Sequence, residues 1–204
     1  MAMHDENLKA RIAANLAEIR GNIAAACARA QRRPEEITLV AVTKTVGVGA
    51  VRAALACGVT VVGENRVQEA REKFAAIGKA AEWHLIGPLQ KNKVKYIFDI
   101  FSMVHSVDGA ELAEEISRRA AARGMVMPVL LEVNIAEEPS KHGVSPAGAV
   151  DAAARIAALP NVRLRGLMAI PPFTDDPEAS RPHFARLRGL RDEIAALGME
   201  NAAL

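Results

Sequence analysis

Lys44 closes a short aliphatic run, Leu39-Val40-Ala41-Val42-Thr43-Lys44. A continuous apolar stretch of this length is the pattern of a strand buried on both faces. A lysine at its end is carried by a rigid element, with its amine facing a site. Burial disfavours an ammonium, and the free amine attacks an aldehyde carbon to form a Schiff base. Lysine strongly favours exposure, so the run taken alone reads more simply as a strand running out into a solvated loop.

Special residues recur at the other strand ends. The second apolar run ends in Gly63-Glu64-Asn65. The third carries His84 and reaches Gly87, with Gln90, Asn92 and Lys93 beyond it. The fourth holds His105 and Ser106, the fifth ends in Glu132-Val133-Asn134, and the sixth ends at Met168 near Pro171-Pro172. In parallel α/β folds, binding and catalytic groups come from the C-terminal ends of several strands. A series of such residues on one face is the expected anatomy of a small-molecule site. Each residue also has a plainer role. Asn65 suits a helix cap. His84 suits a satisfied core histidine. Lys91, Lys93 and Lys95 suit a solvated helix face, and Lys141-His142-Gly143 suits a turn. Met168 suits the core. Glu132 shares a strand face with Asn134, and a carboxylate facing a barrel interior needs a partner.

The elements that must position these residues alternate. Residues 6–31 read as a helix with an apolar stripe of Leu8, Ile12, Leu16, Ile19 and Ile23. Six strands follow, at Ile37–Thr43, Val59–Gly63, Glu82–Ile86, Met103–Val107, Pro128–Asn134 and Arg163–Ile170, separated by Ala-rich amphipathic stretches. That spacing is that of successive strand–helix units. Gly58 suits a left-handed helix stop, Asp108 with Glu111 a capping box, and Ser145-Pro146 a helix start. The last helix runs from about Pro177 to Leu197. Two folds compete, an open doubly wound sheet and a TIM-like (β/α)8 barrel. No Gly-x-Gly-x-x-Gly follows the first strand, which counts against a dinucleotide-binding version of the former.

The composition bounds the function. The chain has 204 residues, half of them apolar, and reads as one domain, 1–204, without a linker. Aromatics are 3% and the net charge is +2, too few rings and too little charge for a nucleic-acid partner. Cys27 and Cys57 form no metal-ligand pattern and read as reduced, buried small residues. No signal peptide and no membrane-length apolar run is evident, so the expected location is cytoplasmic.

Seven motifs, in order, resemble the pyridoxal phosphate (PLP) homeostasis protein family. They are Val40–Lys44, Gly63–Glu69, the eleven-residue Trp83–Lys93, His105–Asp108, Val133-Asn134, Ser140–Pro146 and Gly166–Pro171. The resemblance covers residues 8 to 197. It implies a TIM-like barrel similar to the N-terminal domain of alanine racemase, of which this chain holds the first six βα units after a leading helix. It also implies that Lys44 forms the internal aldimine with PLP and that Asn65 lies near the cofactor ring. His84, Ser106, Asn134 and Met168 are implied to line the pocket. Thr43 stands where a serine is common, and His142 where a small residue is usual. The family's seventh and eighth units, whose turns hold the PLP phosphate, would follow Leu204, so the sequence reads as a truncated barrel.

The expected function is intracellular PLP homeostasis without substrate turnover, with apo-enzymes that use PLP as candidate recipients. A racemase is the alternative. Racemisation needs a second base, which in alanine racemase is a tyrosine from the partner subunit. The one tyrosine here, Tyr96, falls in a Lys-rich stretch away from the strand ends. A non-binding interaction module is the third reading. A monomer is the expectation, since nothing in the fold demands a dimer.

Overall fold

A computed structural model describes residues 2–204. A long helix α1 (Ala2–Arg29) leads into strands and helices in alternation. They are β1 (Val40–Val42), α2 (Val48–Ala56), β2 (Val61–Glu64), α3 (Val67–Ile77), β3 (Glu82–Leu85), β4 (Met103–Val107), α4 (Ala110–Ala121), β5 (Met127–Glu132), α5 (Ala149–Ala157), β6 (Val162–Met168) and α6 (Arg181–Ala196). The strands form a six-stranded sheet in chain order, and β1–β2, β4–β5 and β5–β6 pair in parallel. A 3-10 segment, Lys91–Tyr96, follows β3 in place of an α-helix, with Lys91, Lys93 and Lys95 all exposed.

The chain divides into two compact units, Met1–His84 and Leu85–Leu204. In the first, α2 ends as the sequence predicts. Gly58 takes φ +84, a region that costs other residues energy, and its carbonyl accepts a 2.8 Å hydrogen bond from Arg20 Nη2 of α1. Val51, Val61, Val62 and Trp83 are buried. Trp83 Nε1 donates to Gly78 O at 3.0 Å, and its ring meets Phe74 edge-on at 5.8 Å. The stripe on α1 is only partly used: Leu16 is buried while Ile19 is exposed. Cys27 is buried but Cys57 is only half-buried; both are free.

In the second unit, α4 lays Leu112, Ala113, Ile116 and Ala120 into the core beside Val104, Val129, Leu131, Ile156 and Leu164. Their three- and four-residue spacing makes one helix face, and burying each large aliphatic side chain contributes about 1.5–3 kcal/mol. The expected capping box is absent. Gly109, not Asp108, is the N-cap of α4, and no side chain caps it, because a cap depends on backbone angles that the residue pattern does not fix. Ser145 does cap: its Oγ accepts from Gly148 N at 3.2 Å. After α6, Leu164 N donates to Asn201 O and Ala203 N donates to Leu164 O, so residues 201–203 continue the parallel pairing beyond β6.

Candidate functional site

Lys44 lies two residues past β1, and its side chain is exposed. Burial of this lysine, expected from the apolar run, is not what the structure has. The chain turns at the strand end, so Thr43 goes inward, 4% exposed, and Lys44 goes out. Thr45 then takes φ +64, an uncommon conformation for a β-branched residue.

The charge buried beneath this turn belongs to Lys73 of α3, 5% exposed. Its Nζ donates to Thr43 O at 2.5 Å, to Glu64 Oε1 at 2.7 Å and to Glu69 Oε1 at 2.7 Å. Glu64, at the end of β2, is fully buried, and its Oε1 also accepts from Thr43 Oγ1 at 2.6 Å. Glu69 Oε1 also accepts from Thr45 N at 2.7 Å. Desolvation pulls Lys73 down, but the hydrogen bonds and charges of Glu64 and Glu69 outweigh it and raise its pKa. The Lys73 ammonium, with help from the Thr45 amide, holds Glu69 below the usual carboxylate range. Glu64 Oε2 is buried with no partner. Nothing in the residue pattern singled out Lys73. Glu69 and Lys73 stand four apart on a helix, the spacing of an ordinary surface ion pair.

Asn65 is half-buried in the bend between β2 and α3. It does not cap α3; the N-cap is Arg66, without a side-chain hydrogen bond. His84 is buried within β3, its Nε2 3.1 Å from Glu82 Oε1.

In the second unit, Ser106 is buried in β4 and donates from Oγ to Gly87 O at 2.6 Å. Asn134 lies just past β5. Its Nδ2 donates to Glu138 O at 2.7 Å, and its Oδ1 accepts from Glu138 N at 3.1 Å. Met168, half-buried, ends β6 and accepts from Val133 N at 2.8 Å, which places it beside the end of β5. The segment after β5 folds back on the strand: Asn134 N donates to Val144 O, and Val144 N donates to Glu132 O. Gly143 makes that approach possible. It has φ +104, and a Cβ there would fall 2.8 Å from both Asn134 N and Glu132 O. Burial pushes the Glu132 carboxyl up; Asp108 adds to the rise and His142 opposes it.

A cavity of about 440 Å³ opens elsewhere in the first unit, between α1 and the beginnings of β1 and β2, lined by Arg20, Ile23, Ile37, Leu39 and Val59 among others. It is away from Lys44, which stands beyond the other end of β1. Among the described residues no group of His, Cys, Asp or Glu is placed to hold a metal ion. No described helix is long and apolar enough to cross a membrane.

A parallel sheet with α/β alternation and polar side chains at its strand ends defines a class of protein, and comparison with known proteins gives the same class. The profile of the alanine racemase N-terminal domain matches residues 14–203. An alanine racemase from Clostridium difficile superposes with a TM-score of 0.69 at 16% identity, over 81% of this chain and 44% of that one. It shares the fold, that of a TIM-like barrel domain. Nearer relatives narrow the class. The pyridoxal phosphate homeostasis protein of Aquifex aeolicus is 43% identical over 180 residues, 88% of this chain and 79% of that protein. PipY of Synechococcus elongatus, solved with PLP bound, matches with a TM-score of 0.78 and 32% identity, over 95% of this chain and 85% of that one. This chain belongs to the pyridoxal phosphate homeostasis protein family.

Proposed function

We propose that this chain binds PLP covalently on Lys44 and holds it for intracellular supply, without turning over a substrate. The observation that carries the reading is an exposed primary amine at the end of β1, flanked by two residues that a buried ion cluster grips, in a chain 32% identical to a protein solved with PLP. Lys44 would hold the cofactor through its primary amine, the group that condenses with an aldehyde with loss of water. The cofactor supplies the aldehyde; the protein supplies the amine and its placement. Asn65, His84, Ser106, Asn134 and Met168 are the proposed contacts, each on its position at or near a strand end. The reading gives the protein a cytoplasmic location, a monomeric state and apo-enzymes as recipients.

The test is optical and chemical. Protein mixed with PLP develops a visible imine band, borohydride fixes it, and peptide mapping places the pyridoxyl group on Lys44. Lys44→Ala loses the band and unfolds within about 1 kcal/mol of the parent, because its side chain is exposed and the hydrogen bonds to Thr43 and Thr45 run through neither its backbone nor its amine. A pyridoxyl group mapped only to other lysines overturns the assignment. Exchange of the α-proton of alanine for deuterium, with PLP added, overturns the claim of no turnover. Tyr96, the racemase reading's candidate base, is exposed in the 3-10 segment with Lys95 Nζ 4.8 Å from its ring centre.

A further inference from the structure

We infer that Lys73, Glu64 and Glu69 form a clamp that positions Lys44 by fixing the backbone on both sides of it. The inference rests on the proposed role of Lys44 and deepens it. Lys44 is exposed and its neighbours are not free. On its N-terminal side, Thr43 is held through its carbonyl oxygen by Lys73 and through its hydroxyl by Glu64. On its C-terminal side, the Thr45 amide is held by Glu69. One ammonium joins both grips, since Lys73 also binds both carboxylates.

Two features separate this from an incidental buried ion pair. A buried pair is weak grounds for stability, because desolvation offsets the attraction. This one also leaves Glu64 Oε2 buried without a partner, which packing alone would not favour. The second feature is Thr45 at φ +64. A β-branched residue keeps a left-handed conformation only where its surroundings impose it, and the Glu69 carboxylate on its N–H is one such constraint. Locking the Cα of Lys44 leaves its amine only side-chain freedom. That raises the chance that an aldehyde bound nearby meets the amine in a reactive orientation. Lys73, Glu64 and Glu69 are positioning residues, and none is assigned a contact with the cofactor.

The experiment uses the full chain with PLP as the probe. Glu69→Ala removes the acceptor from Thr45 N–H and leaves the Lys73–Glu64 pair in place; Glu69→Gln keeps an acceptor oxygen. Three readouts are taken: hydrogen exchange at the Thr45 amide, the rate of borohydride-trapped pyridoxyl at Lys44, and its share relative to other lysines. The parent protects Thr45 N–H although it lies outside helix and strand. Glu69→Ala exchanges there at least about tenfold faster, labels Lys44 about tenfold more slowly and spreads label to other lysines, while Glu69→Gln stays within about threefold of the parent. A purely structural role would move the melting temperature and leave the distribution of label unchanged. Lys44 labelled in Glu69→Ala at the parent's rate overturns the clamp. So does an unprotected Thr45 amide in the parent, which decides the matter even if Glu69→Ala does not fold. A parent with a protected Thr45 and no label on Lys44 defeats the proposed function instead, and the two failures are distinct.

Discussion

At the scale of the residue, the chain places its lysines against simple expectation. The strand-end lysine is exposed, and a helix lysine, Lys73, is buried with two carboxylates. Removing one partner from such a cluster strands the others. Lys73→Met leaves Glu64 and Glu69 without their cation and costs about 3–5 kcal/mol in urea denaturation; adding Glu64→Gln recovers part of the loss. Glu132 gives the opposite pH signature from a paired carboxylate. Its native pKa is raised above the ordinary 4.5, so the native state holds its proton more tightly than the unfolded chain does. Its contribution to stability is complete below the unfolded pKa and is lost as pH rises through the native one. Glu132→Gln, which cannot ionise, therefore gains melting temperature relative to the parent as pH climbs from 4.5 upward, and a pair of melting curves across that range checks it. A gap between the two proteins that stays constant across that range contradicts the assignment.

At the scale of the element, the strands are legible as short aliphatic runs, and β2 is buried at every position as such a run implies, whereas β1 has no fully buried residue and β6 alternates buried with exposed. Met103–Val107 is found where the sequence puts it, and the other five differ by a few residues at their ends. Ile37, Thr38 and Leu39 look like strand but precede β1, whose pairing with β2 begins at Val40. Helix starts are less legible. Asp108 and Asn65 are the right residue types in the wrong backbone positions, whereas Ser145 before Pro146 caps as expected. Of the site, Lys44's place at a strand end could be read. Its support could not, because the Lys73 cluster joins β1, β2 and α3 and exists only after they pack. The turn after β5 offers a test at this scale. Gly143→Ala puts a Cβ 2.8 Å from two backbone atoms in a conformation alanine resists. The expected cost is about 1–3 kcal/mol, with faster proteolysis within 135–145. Cleavage and stability equal to the parent's would show that the segment does not need this close approach.

At the scale of the whole molecule, the family and the fold agree with what the motif order implies, and net charge +2 leaves no large field to draw a polyanion. Pairing also continues past β6. Leu164 makes hydrogen bonds on both its N–H and its C=O with residues 201–203. Deleting residues 199–204 unpairs both groups. The Leu164 amide should then exchange faster, with a loss of about 1–2 kcal/mol. Unchanged exchange at Leu164 would mean that the pairing is not held in solution.

Trp83, the one tryptophan in the sequence, is 1% exposed, belongs to the first unit, and has its indole N–H bonded. It makes the protein its own dye. Emission from a ring so shielded lies toward the blue and shifts red when the first unit opens, with no label added. Circular dichroism, in contrast, samples the helices of both units. If the two signals trace one curve in urea, the units melt as a single cooperative body; if the tryptophan shifts first, the half that carries Lys44 is the softer one.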